Sequence, residues 1–347
     1  AQMWFAADLM MVFIALEVMS IAMYVLCALK RGDPRSVESG FKYFILGAFS
    51  SGLMLYGISL VYGVVGNTSL ASLSAALHAP LDATASTLPT VGGALLVVGF
   101  GFKVASVPFH LWAPDVYEGA PTSVTALMSS GVKAASFAAL GRLVMGAVGG
   151  DVGGWSTALW WMAALTMAVG NVAALAQTNL KRMLAYSSIA HAGYLLMALS
   201  SAGLGEAGDD AALASVLFYL VAYTFMSAGA FAILGVLTRD GADATDLADI
   251  AGLGRTHPWV AAGLSLCLLS LAGIPPTVGF VGKFYLFVAT IQAGQTGLAV
   301  IGALSAAAGV YYYLRPMVYM YMRSGSPALR VAPATSLGIA ISGVAIL

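Results

Sequence analysis

Leu271-Ala272-Gly273-Ile274-Pro275-Pro276-Thr277-Val278-Gly279-Phe280-Val281-Gly282-Lys283-Phe284 decides the fold. The stretch interrupts an apolar run reaching from 257 to 290, long enough to cross a bilayer. Pro275 and Pro276 have no N–H, so the carbonyls of Leu271 and Ala272 lose their helical donors. In lipid, such carbonyls persist only where protein or water satisfies them. The run therefore predicts a broken transmembrane helix with Lys283 just beyond the break.

Outward from it, apolar runs of similar length recur between short polar breaks. They predict spans at 3–29, 40–63, 89–111, 122–148, 155–177, 183–202, 211–237, 257–290 and 295–322, with a truncated tenth starting near 334. The third repeats the device, in Gly101-Phe102-Lys103-Val104-Ala105-Ser106-Val107-Pro108-Phe109-His110-Leu111-Trp112. There Pro108 frees the Val104 carbonyl beside a buried lysine. The two breaks lie five spans apart and so cross in opposite directions, the sequence pointer to inverted repeats. The match is imperfect, because the lysine precedes the proline in one and follows it in the other.

Composition agrees. Of the 347 residues, 60% are hydrophobic and 9% charged, with a mean hydropathy of +0.90. Soluble domains carry about 25% charged residues. Lys plus Arg and Asp plus Glu balance at 15 each, which argues against a nucleic-acid footprint. Connections one, five, seven and nine hold most basic residues, while two, six and eight hold none. Arg142 lies at a helix end near the fourth. That alternation places the odd connections on the cytoplasmic side. The third is the exception, with Asp115 and Glu118 but no base. Trp112, Tyr117, Trp155 and Trp259 read as an interfacial belt. Cys27 and Cys267 each sit in an apolar run and read as buried small side chains. No signal peptide, dinucleotide fingerprint, phosphate loop, haem pair or metal-ligand cluster is found. The chain starts at Ala1 near an apolar run and stops at Leu347 inside another, so we expect part of a longer protein.

The ionisable residues inside spans carry the chemistry. Three of six lysines, Lys103, Lys133 and Lys283, lie well inside. Each costs roughly 2.5–3.5 kcal/mol at the bilayer centre, an expensive arrangement for structure alone. Glu17 is the acid at comparable depth, in Leu16-Glu17-Val18-Met19. Facing a buried lysine, each would hold the other ionised; moving apart, they form a switch. Lys42, near the start of its span, reads either as part of the path or as snorkelling to the interface. His110 follows Lys103 by seven residues, about 10 Å along a helix, so any relay between them needs water. The alternative is an interfacial histidine bonded to backbone. His191, among Ser187, Ser188 and Tyr194, reads first as a helix-to-helix hydrogen bond and second as a relay.

The run Pro108-Phe109-His110-Leu111-Trp112-Ala113-Pro114-Asp115-Val116-Tyr117-Glu118-Gly119-Ala120-Pro121-Thr122 resembles the signature of the antiporter-like subunits of respiratory complex I, and its Val-Tyr-Glu-Gly-Ala-Pro form most resembles the N subunit. Asn179-Leu180-Lys181-Arg182-Met183-Leu184-Ala185-Tyr186-Ser187-Ser188-Ile189-Ala190-His191 and the Gly273–Phe284 run resemble the same family.

The resemblance implies an all-α polytopic membrane protein with inverted five-helix repeats, two broken helices and an antiporter-like fold, here without its N-terminal helices. Residues 1–150 would hold the last four helices of the first repeat, 151–325 the second, and 326–347 the start of a C-terminal helix. Glu17 and Lys103 resemble the family's glutamate–lysine pair, Lys133 its central lysine and Lys283 the lysine of the second break. That Lys283 is not glutamate speaks against the M subunit. The implied function is proton translocation within NADH:quinone oxidoreductase, along Glu17, Lys103, Lys133 and Lys283. His110, Lys42 and His191 are added candidates, and Pro108, Pro275 and Pro276 form the breaks. The chain itself is expected to carry no cofactor, metal or redox centre. Implied partners are the M subunit, the small K and J subunits and the lipid bilayer, with no nucleic acid. The implied location is the bacterial inner membrane, or the mitochondrial inner membrane in a eukaryote. Two alternatives stand beside it: a subunit of a multisubunit cation/proton antiporter, and a non-pumping structural subunit.

Overall fold

The computed structural model describes residues 6–78, 87–147, 155–202, 204, 208–239, 242–324 and 329–331. The tenth run, near 334, lies outside them. The described chain is helical throughout its apolar runs. In the first half, α1 (Leu9–Cys27), α2 (Pro34–Val65) and the short α3 (Leu70–His78) precede α4 (Thr87–Val104) and α5 (Trp112–Gly119). They are followed by α6 (Thr122–Leu127), a π-helical turn (Met128–Val132) and α7 (Lys133–Ala147). The second half has α8 (Trp155–Leu175), α9 (Leu180–Leu199), α10 (Gly208–Gly235), α11 (Leu253–Thr256), α12 (Pro258–Ala272), α13 (Val278–Gln292) and α14 (Thr296–Met322). Strands β1 (Leu237–Arg239), β2 (Ala242–Asp243) and β3 (Leu329–Val331) form a small antiparallel sheet in the order β2-β1-β3.

Local chemistry sets the helix ends. Asp8 caps α1 by accepting from the Met10 amide at 2.8 Å and the Met11 amide at 3.3 Å. Asp33 caps α2, with Pro34 in the first turn, where its missing N–H costs nothing. Asn179 caps α9 through the Arg182 amide. Gly273 ends α12 in the left-handed region, at φ 81°, which glycine adopts without penalty.

Six described helices are long and apolar enough to cross a membrane: Leu9–Cys27, Pro34–Val65, Thr122–Val144, Trp155–Leu175, Ala211–Gly235 and Thr296–Met322. The three shorter apolar helices, Thr90–Val104, Pro258–Ala272 and Val278–Gln292, belong to the two breaks. The sixth expected span, α9, is less apolar for a physical reason. Every residue in it except Arg182 and Tyr186 is buried by protein, so its polar side chains never meet lipid. Gly170 lets α8 approach it closely, since a Cβ there would lie 2.6 Å from the Ala190 nitrogen.

The odd connections share one face, as their charges suggest. Lys30 pairs with Asp243 at 3.1 Å, Arg182 with Asp115 at 2.7 Å, and β1 with β3. The acidic third connection is thus neutralised by its neighbours: Lys42 and Arg182 reach Asp115, and Arg182 reaches Glu118 at 3.0 Å. On the opposite face, Asp8 bridges Ser69 and Gln295 donates to the Ser200 carbonyl.

Two expectations need correction. Trp112 and Tyr117 are not interfacial; both are buried. Beyond the first break the chain turns inward as α5, so the Trp112 indole donates to the Phe102 carbonyl at 3.0 Å. It also stacks on Tyr43, with ring centroids 4.5 Å apart. Trp155 is half-buried, and Trp259 is 79% exposed, as a belt residue should be. The fourth span is not a plain helix either, because its π-turn directly precedes Lys133.

Candidate functional site

Both breaks are held by side-chain hydroxyls. After α4 ends at Val104, the Ser106 amide bonds the Gly101 carbonyl at 2.8 Å, and the Val107 amide donates to Thr166 Oγ1 of α8 at 2.9 Å. In the second break, the Gly279 amide donates to Ser270 Oγ at 3.2 Å. The Val107–Pro108 and Pro275–Pro276 peptide bonds are cis. Backbone groups freed by the breaks are thus met inside the protein, as a low-dielectric setting demands.

Lys103 is the last-turn lysine of α4, and its side chain is only 2% exposed. Its Nζ donates to Ser20 Oγ at 2.6 Å and to Glu17 Oε1 at 3.3 Å. The Ser51 hydroxyl donates to the same Glu17 oxygen. Glu17 is 23% exposed, so it stands at the rim of the pair rather than inside it. The Lys103 side chain leaves α4 toward α1, away from the Val104 carbonyl freed by Pro108. The glutamate–lysine pairing itself is present, with Ser20 as a member that sequence reading passed over. Its spacing of three from Glu17 on one helix was the available signal.

Lys133 follows the π-turn and is buried. The Ser129 and Ser130 hydroxyls bond back to the Ala126 carbonyl, and Ser136 to that of Val132. These hydroxyls meet carbonyls around the turn, where the regular hydrogen-bond ladder is displaced. Lys133 Nζ donates to both the carbonyl and the hydroxyl of Ser188, and it lies 5.6 Å from the Tyr223 ring centroid. Sequence reading named no partner for it; α9 supplies one from 55 residues away.

Lys283 lies just beyond the second break. From the first turns of α13 it reaches back and donates to the Leu271 carbonyl at 2.8 Å and the Ala272 carbonyl at 3.0 Å. These are the acceptors freed by Pro275 and Pro276, at the negative end of the α12 dipole, a favourable place for a cation. The Tyr194 ring lies 5.2 Å from its Nζ.

The His191 ring lies 5.0 Å from that of Tyr223, which neighbours Lys133, and 5.8 Å from that of Tyr194, which neighbours Lys283. Its Nδ1 shares a hydrogen bond with the Tyr219 hydroxyl of α10, and its Nε2 one with Tyr313 of α14 at 2.9 Å. Tyr313 bonds Ser187 in turn. The helix-to-helix role is therefore present and joins three helices. Tyr219, Tyr223 and Tyr313 join Tyr194 around His191; the sequence did not single these three out, since buried tyrosines look like core in a one-dimensional pattern.

His110 is buried, and its Nδ1 makes no well-formed hydrogen bond. Lys42 does not snorkel alone: it pairs with Glu38 at 2.6 Å and Asp115 at 2.9 Å. With Arg35, Glu118 and Arg182 these residues line a charged cavity of about 210 Å³ on the odd face. Burial pushes the Asp115 carboxyl up, but hydrogen bonds from Lys42 and Arg182 outweigh it and hold it below the usual carboxylate range. Among the described residues, no group of three or more His, Cys, Asp or Glu is placed to hold a metal ion.

Comparison with known proteins agrees with this arrangement. Residues 6–309 match the model of the transmembrane family described as NADH:quinone oxidoreductase/Mrp antiporter. The chain is 50% identical to NADH-quinone oxidoreductase subunit N of Trichlorobacter lovleyi, covering 92% of this chain and 64% of that one. It is 44% identical to NADH-quinone oxidoreductase subunit N 1 of Sorangium cellulosum, covering 98% and 72%. It therefore spans about two thirds of the length of these relatives. A chain of respiratory complex I from Thermus thermophilus superposes on all of it and on 73% of that chain, with a TM-score of 0.84 and 36% identity. This is a multi-pass membrane protein with the antiporter-like fold, and it belongs to the NADH:quinone oxidoreductase/Mrp antiporter transmembrane family, where its similarity lies with subunit N.

Proposed function

We propose that this chain is a proton-translocating membrane-arm subunit of a bacterial NADH:quinone oxidoreductase, seated in the inner membrane beside M-, K- and J-type subunits. The observation that carries the reading is the set of three buried lysines, each held by a different kind of partner. Lys103 has a carboxylate, Lys133 a serine, and Lys283 two carbonyls freed by a helix break. A lysine whose surroundings can change gains and loses a proton readily when buried. A proton would be taken up from the odd face, reside on Lys103, pass through Lys133 and the His191 region to Lys283, and leave on the opposite face. Separation of Glu17 from Lys103 would weaken the hold on that proton, so the pair is the place where quinone reduction elsewhere in the complex would act.

Replacing Lys103 by Met in the assembled complex tests this. Protons pumped per NADH should fall while the complex still assembles; an unchanged ratio refutes the role. A cation/proton antiporter subunit predicts instead a sodium-dependent flux in vesicles without NADH.

A further inference from the structure

A fourth lysine is as buried as the three above, and the path leaves it unused. Lys181 is 3% exposed and lies in the first turn of α9 on the odd face. Its Nζ donates to the Ala120 carbonyl. The charged groups acting on it are Asp243, Lys30, Glu118 and Asp33, contributed by connections one, three and seven. Ala120 precedes Pro121, Thr122 and Ser123, which line a cavity of about 420 Å³ together with Lys30 and Asp243. Asp243 accepts from Lys30 at 3.1 Å and from the Thr122 hydroxyl at 3.0 Å. A buried amine thus stands behind a carboxylate that borders open space.

The same helix connects it to the path. Ser188, the partner of Lys133, is seven residues further along α9, two turns and about 10 Å away on the same helical face. Against this stretch of α9 packs α5, on which Tyr117 is buried. Glu118 is the next residue on α5, and Ala120 follows that helix directly. Lys181 and Ser188 therefore stand on one face of α9, leading from the odd face toward Lys133.

We propose that Lys181 is a second proton-uptake site, which loads Lys133 from the odd face beside the entry through Lys103. Its ammonium gives a proton, through water and the Ser188 hydroxyl, to the neutral amine of Lys133. The neutral Lys181 is recharged from bulk water by way of the Asp243 carboxylate. The inference rests on the proton-translocating reading above.

The test uses Lys181→Met, Lys181→Arg and, as reference, Lys133→Met in the assembled complex. The readouts are the amount of intact complex and the protons pumped per NADH. The Arg variant keeps a positive charge and a donor for the Ala120 carbonyl, yet a guanidinium does not release its proton. Uptake through Lys181 predicts intact complexes in which both Lys181 variants pump fewer protons per NADH than the wild type. Wild-type pumping by Lys181→Arg overturns the inference, because it reduces Lys181 to a fixed charge. Failure of both variants to assemble overturns it too, by making Lys181 a structural pin. If Lys133→Met itself pumps normally, the path reading falls and the inference with it. If only the Lys181 variants pump normally, the inference alone falls.

Discussion

Gly279→Ala should open the second break and release Lys283. A Cβ at Gly279 would stand 1.8 Å from the Ser270 carbonyl oxygen and 2.8 Å from Met226 Sδ. Ordinary carbon–oxygen contact needs about 3.5 Å, and the obstacle is backbone, so α12 and α13 must part by more than 1 Å. Lys283 spans that junction, from α13 to the Leu271 and Ala272 carbonyls at 2.8 and 3.0 Å. Lengthening both by 1 Å or more takes them beyond hydrogen-bonding range. Hydrogen bonds to charged groups contribute about 1.5–3 kcal/mol each, so losing two costs roughly 3–6 kcal/mol. Gly141→Ala is the control, because its Cβ would meet Leu199 at an ordinary 3.7 Å. Denaturant titration of the purified complex and protons pumped per NADH are the assays. Gly279→Ala should lose both stability and pumping, and Gly141→Ala neither. If the two variants behave alike, the close approach of α12 and α13 is not what holds Lys283.

Thr166→Val should strand the buried Val107 amide at the first break and cost about 1–3 kcal/mol in thermal unfolding, while Thr166→Ser restores the acceptor. Asp243 supplies a pH test on the odd face. Burial raises its carboxyl, but hydrogen bonds from Lys30 and Thr122 hold it below the usual range. A lowered folded value means that its contribution is present above the unfolded Asp value of about 3.9 and is lost as pH falls through the folded value. Protection factors of the β1–β2 amides, which allow for the intrinsic slowing of exchange in acid, should therefore fall below about pH 4 in the wild type. Asp243→Asn should show low protection factors at every pH.

The breaks and their lysines were legible because their causes are local. A proline removes one donor from a known carbonyl, and Lys283 does bond the Leu271 and Ala272 carbonyls named from the sequence. Depth alone said that Glu17 needs a buried base, because an acid and a base in different spans need one another where water is absent; the family resemblance implied that this base is Lys103. Three features escaped this logic. The π-turn before Lys133 contains Gly131, but one glycine inside a helical run does not distinguish a π-turn from ordinary helix. Lys181 was read as a connection charge, because its burial comes from α5 folding over the start of α9. Trp112 was read as interfacial, because nothing in its neighbours' identities says that the chain turns inward after the break.

By itself, the amino-acid order determined that the chain crosses a membrane many times, where two helices break and which cations lie inside. These follow from hydration and backbone hydrogen bonding, which act within a few residues. The tertiary structure alone decided further partners of these cations: Ser20 for Lys103, Ser188 for Lys133, Ala120 for Lys181. Those partners come from 83, 55 and 61 residues away, and only the packing of whole helices brings them together.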